Sequence, residues 1–253
     1  NDSISVVILS YNNQDTIERS LESCSQYFKT YVIDSGSTDK TKEICDNHDV
    51  VFLYNKFKSF KEQRNFALTL VDTEFTFFLD SDEKITDLLR SFFDNEFLTL
   101  AKEEDVNIFE IFRTEYYNKK EVVFGFGRSN YQMRILRTGC VEYHGDVHEY
   151  PACKQNKSSF KIRNSLRIEH NPNRDINSIM DRMISYARLG SLKKIKSGRK
   201  VGFWLIMLNF NWQLLRLAWI GRRDGPGGFI SAYAEAISRT LTYLYVYDHN
   251  NKD

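Results

Sequence analysis

The first 80 residues switch repeatedly between two hydrophobic periods, and that alternation leaves few folds open. Residues 5–9 (SVVIL), 30–33 (TYVI), 49–54 (DVVFLY) and 75–79 (FTFFL) are short runs dominated by β-branched and aromatic side chains. Between them lie stretches with helical spacing: residues 15–24, apolar at 17, 21 and 24; a second from about 38, with Asp39 and Glu43 in its opening turns; and a third over 60–70. Short apolar runs without alternation suit strands covered on both faces. Strands that alternate with helices at this spacing build right-handed βαβ units on a parallel sheet. Ligands of such sheets bind beyond the carboxyl ends of the strands, so chemistry is expected in the residues that follow each run.

Beyond residue 87 the pattern loosens. Residues 88–100 suit a helix, 106–113 and 131–136 strands of a mixed extension, 125–127 (GFG) a turn, and 138–175 loop with short strands. From 176 the chain is strongly helical, over 176–195, 201–220 and 229–247, with KSGRK and GRRDGPGG between. A length of 253 residues allows one large domain or two modest ones. The expected division is 1–175 for a sheet-based catalytic domain and 176–253 for a helical extension. Disorder is excluded by 42% hydrophobic and 27% charged residues. The four cysteines, at 24, 45, 140 and 153, form no CxxC, so reduced thiols in a cytoplasmic setting are expected over a disulfide framework or zinc knuckle. Residues 3–9 suit a strand better than a signal peptide, and no uncharged run reaches 18 residues, so no unaided bilayer crossing is expected.

The net charge of +1 is a cancellation. Residues 1–126 carry 14 Lys+Arg against 24 Asp+Glu, and residues 127–253 carry 21 against 10. The second half therefore calls for an anionic partner.

Three of the runs end in polar residues: Ser10-Tyr11-Asn12-Asn13, Asp34-Ser35-Gly36-Ser37-Thr38-Asp39 and Asp80-Ser81-Asp82-Glu83. Asp34 can accept hydrogen bonds from a ribose or a base edge, and Tyr11 can stack on a base. Asp80 and Asp82, one residue apart, can aim two carboxylates at one divalent cation, a hard ion that prefers oxygen and bridges phosphates. Each alone could equally be a turn or N-cap residue. Three at one edge of one sheet favour a ligand site.

The run VVILSYNNQDTIERSLESC, then YVIDSGSTDKT, KEQRNFAL and FFLDSDE, resembles the nucleotide-sugar-binding half of the family 2 inverting glycosyltransferases, which have the GT-A fold. The likeness continues through MRILRTGCVEYHGDVHE into the C-terminal helices, and the branch it resembles is that of the bacterial lipopolysaccharide-core β-1,4-glucosyltransferases. The resemblance implies an α/β GT-A fold (a Rossmann-like, mostly parallel sheet flanked by helices) with a helical extension. It also implies a donor site of Tyr11, Asn12, Asp34, Ser35, Arg64, Asp80 and Ser81, with Arg64 facing the nucleotide or its phosphates. Mg²⁺ or Mn²⁺ is expected on Asp82, with Asp80 shared between ribose and metal. The donor is expected to be a UDP-sugar, glucose by default, and the acceptor a lipid-linked or core-type glycan. DSDE stands where DADE is common.

His144, Asp146, His148 and Glu149 form a second constellation in YHGDVHEY. Two histidines four apart can bind zinc on a helix, but Gly145 and the β-branched Val147 disfavour a helix there. Backbone-satisfied imidazoles are the structural alternative. Inverting transfer needs a general base for the acceptor hydroxyl, and the VHE segment resembles the family's acceptor-side motif. Glu149 is therefore the expected base, Asp146 its rival, and His148 a metal, phosphate or acceptor contact.

Residues 182–223 hold ten Lys+Arg and no acid, and enclose the stretch FWLIMLNFNWQLLRLAWI. This composition fits interfacial docking on an anionic leaflet, which places the protein on the inner face of the cell membrane. The alternative is a helix packed on the sheet with a solvated basic rim. No nucleic-acid motif is present. A sugar nucleotidyltransferase would carry a Gly-rich loop after the first strand, where this chain has SYNNQDT. A polysaccharide or peptide acceptor, or a non-catalytic membrane-binding module, are the remaining readings.

Overall fold

The computed structural model describes residues 2–117, 120–122, 130–145, 149–153, 159–172 and 176–251. The chain runs β1 (Ile4–Ser10), α1 (Ile17–Cys24), β2 (Lys29–Asp34), α2 (Thr41–Asp46), β3 (Val51–Tyr54), α3 (Phe60–Leu70), β4 (Phe75–Asp80), β5 (Glu83–Ile85), α4 (Asp87–Asn95), α5 (Phe97–Glu104), β6 (Ile108–Tyr117), β7 (Lys120–Val122), β8 (Asn130–Arg137), β9 (Val141–His144), β10 (Tyr150–Cys153), β11 (Phe160–Lys161) and β12 (Arg167–His170). Three long helices follow: α6 (Ile176–Lys196), α7 (Phe203–Gly221) and α8 (Gly225–Asn250). The α/β class expected from the sequence is the class observed. The turn expected at 125–127 lies outside the described residues.

The chain divides into two compact units, Asn1–Thr114 with Asn130–Asn173, and Glu115–Ser129 with Arg174–Asp253. In the sheet, the order is β3-β2-β1-β4-β8-β6-β12-β5. β3, β2, β1 and β4 are parallel, as the βαβ reading requires. β8 then joins β4 antiparallel and β6 joins β8 antiparallel, with β5 and β12 paired antiparallel at the far end. The apolar runs become the central strands because both faces are covered: six of the seven β1 residues are buried, whereas β3 at the edge has none.

Side chains of successive residues alternate across the sheet, and the core divides accordingly. Ile4, Val6 and Ile8 of β1 and Phe75, Phe77 and Leu79 of β4 pack on one face, against Leu21 and Phe93. Val7 and Phe78 pack on the other, against Ala67 and Tyr143. The first face holds an edge-to-face cluster in which Phe97 meets Phe75, Phe93 and Phe109 at ring separations of 5.0, 5.5 and 5.1 Å. That cluster explains the break in the helix expected over 88–100. The chain leaves helical geometry at Glu96 (φ −123°) and restarts at Phe97, which is fully buried.

Side-chain caps set the starts of α3 and α4. Ser59 accepts from the Glu62 amide at 3.2 Å, the Ser-x-x-Glu pattern of a capping box, and Thr86 accepts from Leu89 N. In the helical unit α8 packs against both α6 and α7. The α7–α8 corner is a single 3-10 turn, Arg222–Asp224. It closes because Gly221 and Gly228 touch through their backbones: a Cβ on Gly228 would lie 1.9 Å from Gly221 O. α8 begins four residues earlier than the apolar pattern suggests, because Pro226 suits the first turn of a helix.

Candidate active site

The loops after β1 and β2 are interlocked by side chains. Asn12, held at φ +52°, donates its N–H to Ser37 Oγ (2.8 Å) and accepts from Thr38 N (2.9 Å). Asn13 N donates to Thr41 Oγ1 (2.8 Å), Gln14 N to Asp39 Oδ2 (3.1 Å), and Lys40 N to Gln14 Oε1 (3.1 Å). Asp34 is buried at the end of β2; Oδ1 accepts from Gly36 N and Ser37 N, both at 2.8 Å, and Oδ2 accepts from the Ser37 hydroxyl. Gly36 sits at φ +104°, a conformation glycine adopts without strain. Asp34 thus braces its own turn, and Tyr11 stands exposed beside it.

The segment Gln63-Arg64-Asn65 on α3 ties three parts of the site together. Buried Gln63 donates to Ser35 Oγ (2.8 Å) and to Asn55 O (2.9 Å). Asn65 brackets Tyr143 of β9, accepting from its N–H at 2.8 Å and donating to its carbonyl at 3.0 Å. Arg64, 12% exposed, lies 3.8 Å from Asp80 Oδ1 and 3.7 Å from Glu149 Oε1. Its guanidinium also lies over the rings of Phe78 and Tyr143, 5.0 and 5.2 Å from their centroids. The Arg64 Nε is buried and makes no hydrogen bond among the described residues. A cation is therefore held between the donor-side carboxylate and the expected base.

The turn after β4 is built on buried charge. Arg134 of β8 clamps Asp80 with both terminal nitrogens (3.0 and 2.5 Å) and reaches Glu83 Oε1 at 2.6 Å. Glu83 is fully buried, accepts from Asp80 N at 3.0 Å, and has Arg113 at 3.5 Å. Burial raises the Asp80 carboxyl, but Arg134, with Arg64 and Arg113 behind it, outweighs burial and holds it well below the usual carboxylate range. Burial raises Glu83, and Arg134 pulls it back only in part, so a proton entering this cluster goes to Glu83 before Asp80. Ser20 of α1 fixes the turn from below, donating to Glu83 O at 2.6 Å, and Ser81 is buried within it.

Asp82, 25% exposed at its side chain, pairs through Oδ2 with His170 Nε2 at 3.0 Å. His170 is buried on β12, and the β5–β12 register sets it opposite Glu83. Two ligands on one cation at about 2.1 Å and at right angles stand about 3 Å apart, so this carboxylate–imidazole pair fits a divalent ion. No group of three or more His, Cys, Asp or Glu arranged for a metal occurs among the described residues.

The structure therefore brings Arg64 to Asp80 and Glu149, leaves Ser81 and Asp82 in the turn that follows Asp80, and separately knits Tyr11, Asn12, Asp34 and Ser35. His144 is exposed on β9, 6.3 Å from the Tyr150 ring. Asp146 and His148 lie outside the described residues. Arg134 and His170 had no signal of their own in the sequence, since both enter through strand pairings 51 and 88 residues away from their partners.

Comparison with known proteins shows likeness to glycosyltransferases. Over its full extent (98% of this chain, 93% of the relative) the chain is 23% identical to the lipopolysaccharide core biosynthesis glycosyltransferase LpsC of Rhizobium meliloti (strain 1021). It is 28% identical to the SPbeta prophage-derived glycosyltransferase SunS of Bacillus subtilis (strain 168), over 65% of this chain and 38% of that protein. Among solved structures, S. aureus TarS 1-349 in complex with UDP-GlcNAc superposes with a TM-score of 0.51 at 14% identity, covering 98% of this chain and 91% of that one. The fold is thus shared with TarS. The model for "Glycosyl transferase family 2" matches residues 5–95, the stretch that carries all three polar strand ends and Arg64.

Proposed function

We propose that this chain is a metal-dependent inverting glycosyltransferase that moves a hexose, glucose by default, from a UDP-sugar to a hydroxyl of a lipid-linked or lipopolysaccharide-core-type glycan. The observation that carries this reading is the placement of Arg64 between Asp80 and Glu149. The name of the full-length relative LpsC supports a core-type glycan as acceptor, and the UDP-GlcNAc complex of TarS supports a uridine diphosphate donor.

Tyr11 stacks on the uracil, while Asp34, Ser35 and Asn12 frame it and its ribose. Asp82 and His170, with Asp80 beside them in sequence, would hold Mg²⁺ or Mn²⁺. When bound, the cation neutralises charge that gathers on the leaving diphosphate. Arg64 adds a fixed positive charge in a partly desolvated setting, where it acts more strongly than in water. Glu149, its orientation set by Arg64, takes the proton of the acceptor hydroxyl as that oxygen attacks the anomeric carbon from the face opposite the diphosphate. That single displacement inverts the configuration. Residues 182–223 meet an anionic membrane surface that bears the acceptor.

A coupled assay of UDP release over a panel of UDP-sugars, including UDP-glucose and UDP-GlcNAc, tests this reading. Asp82→Asn should lower turnover by roughly 10²–10³-fold and Glu149→Gln by roughly 10²–10⁴-fold, with thermal unfolding unchanged. EDTA should abolish release by the wild type. Undiminished release by Asp82→Asn in EDTA would sink the metal assignment.

A further inference from the structure

The helical unit carries a surface that the sugar-nucleotide site does not use. On α7, Trp204, Leu208, Trp212, Leu215 and Trp219 are each 65–77% exposed. Their spacings of four, four, three and four residues set them on one arc of roughly 80° at about 100° per residue. Ile206 and Gln213, on the opposite side of the helix, are buried. From first to last the stripe is roughly 22 Å long at about 1.5 Å per residue. All three tryptophans of the chain stand on it.

The charges around the stripe are of one sign. Residues 182–223 contain ten Lys+Arg and no Asp or Glu. Lys193, Lys196, Arg199 and Lys200 are exposed at the turn before α7, Arg216 is exposed on the helix, and the Arg222 guanidinium lies 3.9 Å from the Trp219 ring centroid at its end. No helix among the described residues is long and apolar enough to cross a membrane. An apolar stripe with Trp and Leu at its centre and cations at its margins suits the headgroup boundary of a bilayer, with the helix lying in the plane. A second copy of the chain fits poorly, since it would bring the same acid-free segment against this one, cation against cation.

We propose that Trp204, Leu208, Trp212, Leu215 and Trp219 insert into the interfacial layer of an anionic lipid bilayer, with the surrounding Lys and Arg on lipid phosphates. This deepens the membrane partner named in the functional reading and rests on that reading only for the lipid-borne acceptor. Docking itself requires no turnover.

Because every tryptophan lies on the stripe, intrinsic fluorescence reports on it directly. Vesicles of phosphatidylcholine with a third phosphatidylglycerol should move the emission to shorter wavelength and protect it from iodide quenching. Pure phosphatidylcholine vesicles should do so far less, and added salt should weaken the effect. Leu208→Ser/Leu215→Ser keeps all three tryptophans and should lower vesicle affinity at least roughly tenfold. The melting temperature and UDP release in detergent-free solution should stay unchanged. Emission that no vesicle shifts would overturn the proposal. So would a lipid-free dimer, seen by sedimentation, that already shields the tryptophans and that the double variant dissociates. UDP release is read separately, so loss of docking and loss of the transferase reading are distinguishable.

Discussion

Asp80 is the residue whose environment says most about how the site works. Its carboxyl is held down by Arg134, so its contribution to stability is complete above the unfolded value of about 3.9 and is lost as pH falls below that toward the folded value. Wild type should therefore be more stable than Asp80→Asn at pH 7, and the gap should narrow below about pH 4. Urea midpoints measured across a pH series check this; a gap that stays constant to pH 2.5 would contradict it. The carboxylates of the DSDE turn stood out in the sequence only beside the two other polar strand ends, because each alone could equally be a turn or N-cap residue. Asp34 shows the limit of such reading. The turn role and the ligand role looked like alternatives in the sequence, and in the structure both oxygens of Asp34 brace the turn. Arg134 and His170 were not legible, since a strand sequence does not reveal which turn it will lie against.

At the scale of elements, the runs covered on both faces were easiest to read. All four predicted parallel strands form, because a run such as SVVIL has no polar face to show water. The short antiparallel strand β5 escaped notice: three residues establish no period, and β5 exists because Arg167–His170 pairs with it. The single helix expected over 88–100 is two, since burying Phe92, Phe93 and Phe97 together requires a change of direction at Glu96. The α7–α8 corner rests on a backbone contact that only glycine permits. Gly228→Ala forces a Cβ against Gly221 O and should destabilise the helical unit by about 3 kcal/mol. Urea unfolding followed by tryptophan emission, which arises only from α7, would show it; an unchanged midpoint would mean that the corner relaxes freely.

For the whole molecule, the opposed charges of the two halves are a division of chemistry. The acidic half holds Asp80 and Glu83, compensated by Arg64, Arg113 or Arg134, and Asp82, paired with His170, while Glu149 comes from the other half and meets Arg64. The basic half gathers its charge around an exposed apolar stripe. The central claim is a single displacement at the anomeric carbon of a UDP-sugar, and it can be tested without knowing the acceptor, because water can take the acceptor's place. Time-resolved proton NMR of UDP-α-glucose or UDP-α-GlcNAc hydrolysis by the wild-type protein with Mn²⁺ should show the β-anomer of the free sugar first, with the α-anomer appearing only by mutarotation. An α-anomer formed first, or hydrolysis no faster than that of Asp82→Asn, would contradict the account.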